Sequence, residues 1–318
     1  MTREGDGMMR TAMVGALAWV ALATPVAAAE PLVVERLMTT GPGSVNSWLV
    51  DAGTQVVIVD AQRTLSAGTA VARRALETGL TVGGILVTHP HPDHVGGLAS
   101  LASVTQAPIY GSSETAVEIG ADTRRLLGLA HRQMPDDTAP VVPSPGTLVR
   151  DEEAFTIGDV TFVPMEFGAS EASSMTVYAV PDRAVVFTGD LLTPKMTPFL
   201  LEKRTAAWLR QLDDLAGRLP PETTAYPGHG EAGPLGTLVD AQKAYLTAFR
   251  DRVAAALEDG VISGEDVDTI IAETEADFPD YLPVSRLPDL MKRNIVAVAA
   301  ELAGDRGAPP LATITTVN

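Results

Sequence analysis

Three of the chain's five histidines fall within six residues of one another, in Thr88-His89-Pro90-His91-Pro92-Asp93-His94. His-x-His-x-Asp-His sets four metal-ligand side chains on one tight loop. Imidazole nitrogen and carboxylate oxygen are the donors that borderline divalent ions favour. In an extended segment, side chains two residues apart point to one side, so His89 and His91 present their rings together. Pro90 and Pro92 stiffen the loop and hold it extended. The competing, purely structural reading is an exposed polar loop in which Asp93 caps the following helix.

The elements that must position this loop are legible around it. Gly84-Ile85-Leu86-Val87 reads as a short buried strand that delivers the loop at its C-terminal end. A helix is expected from about Val95, where Gly96-Gly97 permit a close backbone approach to whatever sits in the loop. Upstream, β-type runs at 32–36, 45–50 and 55–59 are bounded by Gly, Asn, Asp or Pro, and the last ends in Asp60. Residues 67–78 have helical character and stop at Gly79. Downstream come a strand at 108–111 and one helix from about Ser113 to Leu127. A long loop rich in Pro, Asp and Ser follows over 131–145. Strands are expected at 154–157, 160–165, 176–180, 184–188 and 223–226, with a helix at 205–219. Helices near 235–259, 264–276 and 286–303 follow without a strand signal, and the residues from Gly304 look frayed. Two strand clusters, each followed by helices, predict an α/β fold, an αββα sandwich of two mixed sheets flanked by helices. Its strand ends would converge on one rim carrying His89, Asp190 and His229. The division expected is 1–29, 30–234 and a C-terminal helical extension over 235–318.

Val87-Thr88-His89-Pro90-His91-Pro92-Asp93-His94-Val95-Gly96-Gly97-Leu98 resembles the first metal motif of the metallo-β-lactamase superfamily. Val185-Val186-Phe187-Thr188-Gly189-Asp190 is similar to the strand ending in that family's bridging aspartate. Tyr226-Pro227-Gly228-His229-Gly230 is similar to its late strand-end histidine. The three pieces occur in the family's order and the resemblance runs over roughly 33–234. The first motif carries the specificity; Gly-Asp or Gly-His-Gly alone would be weak. The resemblance implies that His89 and His91 bind one metal, that Asp93, His94 and His229 bind a second, and that Asp190 bridges them. One or two Zn2+ ions are implied, with Mn2+ or Fe as alternatives. Two ions about 3.5–4 Å apart can share a hydroxide and polarise the bond being broken. Asp93 would orient that hydroxide or take its proton, as the catalytic carboxylate.

The chain departs from the pattern at one point. Relatives carry a Gly-His pair whose histidine completes the first site, whereas this chain reads Phe167-Gly168-Ala169-Ser170-Glu171-Ala172-Ser173-Ser174. Alanine stands where histidine is expected. Glu171, two residues on in a small-residue loop, is the candidate replacement ligand, and its carboxylate suits zinc and, better, manganese or iron. Glu166 at a strand end is the weaker choice, and His131 reads as a solvated loop residue. If neither glutamate coordinates, Asp93, His94, His229 and Asp190 could still hold one ion. Asp60 reads as a support for the His loop or as a simple turn residue. Trp48 and Phe199 read as cleft or core aromatics, and Asp182 as a turn residue.

Composition narrows the function classes. The chain has 318 residues, 46% hydrophobic and 20% charged, with a net charge of −17 and a pI near 4.6. That acidity argues against nucleic acid or an anionic membrane as partner. Cysteine is absent, which removes thiol nucleophiles, disulfides and thiolate ligands together. Arg10, an apolar stretch over 11–26 and Ala27-Ala28-Ala29 before Glu30 form the three parts of a secretory signal. The stretch is shorter than the roughly 20 apolar residues a span needs. Cleavage after Ala29 and a periplasmic destination are expected, with no membrane association afterwards.

The function predicted is an exported metal-dependent hydrolase. It would cleave a small-molecule ester, lactone, thioester or amide, a β-lactam included, by attack of metal-bound hydroxide. Selectivity would sit in loops 40–46, 131–145 and 193–201, which carry no motif. The C-terminal helices could cover the mouth of the site or form a dimer surface. Two rivals use the same scaffold: an iron-dependent oxygenase-type relative, and a non-catalytic metal-binding or binding protein. Bound zinc, bound iron and no metal would separate the three.

Overall fold

Alternation along the strands builds the layers. On one strand, Val56 and Ile58 face one apolar cluster and Val57 and Val59 face another. On a strand of the second sheet, Val177 and Ala179 face outward to helices while Tyr178 and Val180 face the first sheet. That period of two, apolar on both faces, is what a sheet covered on both sides requires. The computed structural model describes residues 30–41, 43–257 and 262–304. The expected leader at 1–29, the last residues of the helix expected at 235–259, and the tail beyond Gly304 lie outside these.

The strands are β1 (Val34–Met38), β2 (Asn46–Asp51), β3 (Gln55–Val59), β4 (Thr81–Leu86), β5 (Ile109–Gly111), β6 (Thr147–Leu148) and β7 (Phe155–Ile157). They continue with β8 (Val160–Glu166), β9 (Thr176–Val180), β10 (Val185–Gly189), β11 (Met196–Thr197), β12 (Thr224–Pro227), β13 (Gly233–Pro234) and β14 (Leu282–Pro283). The helices are α1 (Leu65–Leu76), α2 (Pro92–Val95), α3 (Leu98–Thr105), α4 (Ser113–Ala121), α5 (Leu126–Gln133) and α6 (Thr205–Arg218). The last three are α7 (Leu235–Ala256), α8 (Gly264–Asp277) and α9 (Leu290–Leu302).

One sheet runs β1-β2-β3-β4-β5-β6, antiparallel to β3 and parallel beyond it. The other runs β13-β12-β10-β9-β8-β7, with β10 and β12 its parallel pair. Both sheets are mixed. Trp48, Val50, Val57 and Leu86 of the first sheet meet Phe162, Tyr178 and Phe187 of the second in the middle layer. α1 and α3 cover the outer face of the first sheet through Val71, Ala72, Ala75, Leu98 and Leu101. The outer face of the second sheet is covered by α6 to α9, with Trp208, Tyr245, Phe249, Ile270 and Ile295 in one cluster with Val177 and Val186. This is the αββα sandwich predicted. The described helices beyond 234 share the apolar cluster of the second sheet. Each large apolar side chain buried there stabilises the layer by about 1.5–3 kcal/mol, so strand ends can carry polar groups.

Four local expectations change. The helix expected from about Val95 begins only at Leu98, as α3, and Val95 ends the separate turn α2. The single helix expected over 113–127 is two, because Asp122 turns left-handed at φ 44° and Arg125 at φ 57°. His131 is in the last turn of α5 rather than in a loop. The region beyond 235 does contain a strand: β14 pairs in parallel with β11. Among the described residues, no helix is long and apolar enough to cross a membrane.

Candidate metal centre

Strand ends bring the chemistry together. β4 runs into the His loop, where Pro92 opens α2 and places Asp93 and His94 in its single turn. β10 ends at Gly189, so Asp190 follows directly, and its parallel neighbour β12 ends at Pro227, just before Gly228-His229. The parallel pairing of β10 with β12 fixes Asp190 beside His229. Gly228 is required there: a Cβ at this position would fall 2.0 Å from Asp190 Oδ1 and 2.8 Å from His94 Cε1. Gly96 and Gly97 serve a different approach from the one expected. A Cβ on either would fall about 2 Å from the carbonyl oxygens of Arg63 and Ala61 (1.9 and 2.1 Å), so they admit the 61–63 backbone.

The seven candidate ligands converge, all buried. His89, His91, Glu171 and Asp190 can place one donor atom each within 4.8 Å of one another, and so can Asp93, His94 and His229. In the first group, His91 Nδ1 lies 3.2 Å from Glu171 Oε1, and His89 Nε2 lies 3.7 Å from Glu171 Oε2 and 3.9 Å from Asp190 Oδ2. In the second, His229 Nε2 lies 3.4 Å from Asp93 Oδ2 and 3.2 Å from Asp190 Oδ2, and His94 Nε2 lies 3.2 Å from Asp190 Oδ1. Asp190 therefore reaches both groups. Donors around a tetrahedral zinc, about 2.0–2.2 Å from the ion, stand roughly 3.4 Å apart, which is the spacing seen.

Hydrogen bonding behind the rings decides which nitrogen faces inward. Asp60, buried and left-handed at φ 61°, accepts from Thr88 N (2.9 Å), Thr88 Oγ1 (2.8 Å) and His94 Nδ1 (2.8 Å). The Thr88 hydroxyl thus spends its proton on Asp60, and its oxygen accepts from His89 Nδ1 at 2.9 Å. His229 Nδ1 donates to the Ser44 carbonyl. Nε2 of all three rings is left bare and inward. Those three nitrogens, both Glu171 carboxylate oxygens and Asp190 Oδ1 are buried without a hydrogen-bond partner. Buried polar atoms left without a partner cost about 1–3 kcal/mol each. A cation is the partner such a set fits.

Without a cation in the cluster, the buried charges act on one another, and the three rings respond differently. Burial lowers the cationic form of His89 well below its usual range, assisted by the neighbouring His94. Burial works against charge on His94 and His229 too, yet Asp190 overrides it, raising His94 well above the ordinary value and His229 to about 9. Burial also raises Glu171, to about 7, against the pull of His91. Burial opposes ionisation of Asp93, but Arg63 and His229 hold it far below the usual carboxylate range.

Other candidates fall elsewhere. Glu166, half-buried on β8, accepts from Thr176 Oγ1 at 3.2 Å, and His131 Nδ1 contacts Thr138 at 3.2 Å; neither belongs to the metal-ligand groups. Trp48 is core, donating to Pro227 O at 2.9 Å and edge-on to Tyr226. Phe199 does line the site, its ring 5.2 Å from that of His91. Asp182 lies in a 3-10 turn. Several supports are visible only in the structure. Arg63 donates to Asp93 Oδ2 (3.1 Å) and Gly43 O (3.0 Å). Asn46 donates to Pro227 O and Gly230 O, holding the His229 turn, and Gln211 donates to Phe167 O and Ala169 O, bracing the Glu171 loop. The 40–46 loop is backed by the C-terminal segment, Gly43 N donating to Pro283 O at 3.1 Å. A narrow cleft lined by Pro90, His91, Arg124, Leu127 and Glu202 opens beside the cluster. A roomier cavity of about 540 Å³, between α7, α8 and α9, contains none of the candidate ligands.

The chain is similar to several known proteins. A hydroxyacylglutathione hydrolase of Cereibacter sphaeroides is 31% identical over 153 residues, 48% of this chain and 50% of that protein. One of Hahella chejuensis is 29% identical over 184 residues, 58% of this chain and 57% of that protein. The chain spans about half the length of the curated relatives it matches. Among solved structures, a metallo-beta-lactamase family protein of Thermus thermophilus aligns with TM-score 0.64 at 21% identity, over 87% of this chain and 96% of the other. A beta-lactamase domain protein of Burkholderia ambifaria aligns with TM-score 0.62 at 20% identity, over 88% and 91%. The family's own pattern matches residues 40–229, and the chain belongs to the metallo-beta-lactamase superfamily.

Proposed function

We propose that this chain is a metal-dependent hydrolase cleaving an ester, lactone, thioester or amide of a small molecule at the cluster formed by His89, His91, Asp93, His94, Glu171, Asp190 and His229. The observation that carries the reading is the set of buried, unpartnered donor atoms at tetrahedral spacing. Zinc, manganese or iron held there would supply Lewis acidity toward a carbonyl and a nucleophilic water at neutral pH.

The chain's own residues divide the remaining work. Glu171 stands in for the histidine the family usually has, and Asp190 ties the two halves together. Arg63 occupies Asp93 Oδ2, so Asp93 serves better to orient the attacking water than to store its proton. Asp60 and Thr88 keep His89 and His94 in the tautomer that leaves Nε2 free. Phe199 closes one side of the cluster against solvent. The name shared by the curated relatives, hydroxyacylglutathione hydrolase, supports transfer of an acyl group to water. The leader read in 1–29 supports an exported enzyme.

The test is elemental analysis of the purified protein together with chromogenic esters, lactones, thioesters and cephalosporins. Two divalent ions per chain and hydrolysis abolished by His91→Ala are expected. Protein that stays metal-free in excess zinc, manganese and iron, or a His91→Ala variant of full activity, would overturn the reading. Iron together with oxygen consumption would favour the oxygenase instead.

A further inference from the structure

His89, His94 and His229 all present Nε2 to the cluster and have Nδ1 held from behind. His91 is turned the other way. Its Nδ1 faces Glu171 at 3.2 Å, and its Nε2 points outward, buried and without a hydrogen-bond partner. Four ångströms beyond that nitrogen (4.0 Å) lies Oε1 of Glu202. Glu202 is 4% exposed, on the turn between β11 and α6. A carboxylate that deep is costly unless something balances it. Arg124 does so, its Nη2 2.9 Å from Glu202 Oε2.

Arg124 is not there by accident of a long side chain. The turn that separates α4 from α5 carries it, between left-handed Asp122 and Arg125, and its backbone N–H donates to Glu118 at 3.1 Å. Phe199 stands edge-on to the His91 ring from another side. Phe199 and Glu202 thus flank the ring, and the Glu202 carboxylate lies 4.0 Å from the outward nitrogen. A histidine whose far N–H is taken by a carboxylate is a stronger and better-oriented metal ligand.

We propose that Glu202, balanced by Arg124, is a positioning residue that fixes His91 with Nε2 protonated and the Nδ1 lone pair aimed at the first metal position. This rests on the metal-binding reading above. A separation of 4.0 Å is too long for a hydrogen bond. A cation held at Nδ1 would acidify Nε2–H and make it a better donor toward the Glu202 carboxylate. A Glu202–Arg124 pair with no role beyond packing would not respond to metal.

The experiment uses the full chain, stripped of metal and titrated with Co2+ alone against a chromogenic chelator, alongside long-range 1H–15N spectra of the histidine rings in the Zn2+-loaded protein. Glu202→Leu is expected to weaken one of two Co2+ equivalents by about 10–100-fold and leave the other within about twofold. Glu202→Gln, whose amide oxygen still accepts, is expected to recover most of the loss. Wild-type spectra are expected to show His91 protonated at Nε2, a readout that stands even if Glu202→Leu fails to fold. Unchanged affinity in Glu202→Leu, equal loss of both equivalents, or His91 protonated at Nδ1 would overturn the proposal alone. Wild-type protein that takes up no Co2+ would overturn the metal-binding reading and this inference with it.

Discussion

Asp60→Asn tests the support behind the cluster without changing its shape. Asparagine is nearly isosteric with aspartate and tolerates the left-handed backbone that residue 60 adopts at φ 61°. What changes is polarity. Three donors converge on the Asp60 carboxylate, from Thr88 N, Thr88 Oγ1 and His94 Nδ1. Asparagine offers one acceptor oxygen and one NH2, so at least one donor must face another donor. If the amide nitrogen faces His94, the ring keeps its inward contact only by protonating Nε2, the atom that should bind metal. Hydrogen bonds to a charged group contribute about 1.5–3 kcal/mol each, so the metal-free protein should lose about 2–3 kcal/mol in urea unfolding. Zinc affinity should fall about 10–100-fold, or roughly 1.4–2.8 kcal/mol, measured by chelator competition. An Asp60→Asn protein that keeps wild-type zinc affinity would show that tautomer control by Asp60 is not what prepares the site.

Glu171→Ala should lower bound zinc from two ions to one per chain by elemental analysis, and Glu171→His should restore two, because the backbone already points residue 171 inward. Burial raises Glu166 from 4.5 to about 7, so the folded state holds a proton there that the unfolded state has released. Its contribution to stability therefore falls as pH rises from about 4.5 to about 7 and stays lost above that. Because Glu166 is only partly buried, the loss should be about 1 kcal/mol after solvent screening. Glu166→Gln should remove that slope from wild-type urea midpoints compared at pH 5 and pH 8; identical slopes would refute the assignment. Intact mass of protein recovered from a bacterial periplasm should correspond to a chain beginning at Glu30, whereas a chain retaining 1–29 would count against cleavage.

The sandwich was legible because its strands are long enough to alternate and are bounded by turn residues. β3 and β9, at 55–59 and 176–180, match the expected bounds. The strands that escaped are of two residues each, β6, β11, β13 and β14. Alternation has no meaning at that length, and such strands exist because a neighbour is already in place. The break between α4 and α5 was hidden for a related reason. Asp122 and Arg125 give no signal of a left-handed turn in the way a glycine would.

The candidate site divides the same way. A short motif declares itself because its donors are close in sequence and unusual in type. Glu171 could be reached by noticing a missing histidine beside a carboxylate. Arg63, Asn46, Gln211 and Glu202 could not, because each acts on a partner far away in the chain: Arg63 on Asp93, Asn46 on the Pro227–Gly230 turn, Glu202 on His91. Their residue types are those of any polar surface, and only burial sets them apart. Asp60 falls between the two cases, since a strand-end aspartate is ordinary until its three donors are counted. What a sequence displays is therefore the set of atoms that would meet a metal. What it conceals is the set that decides which lone pair each of those atoms presents, and the metal binding proposed for this chain would rest on both.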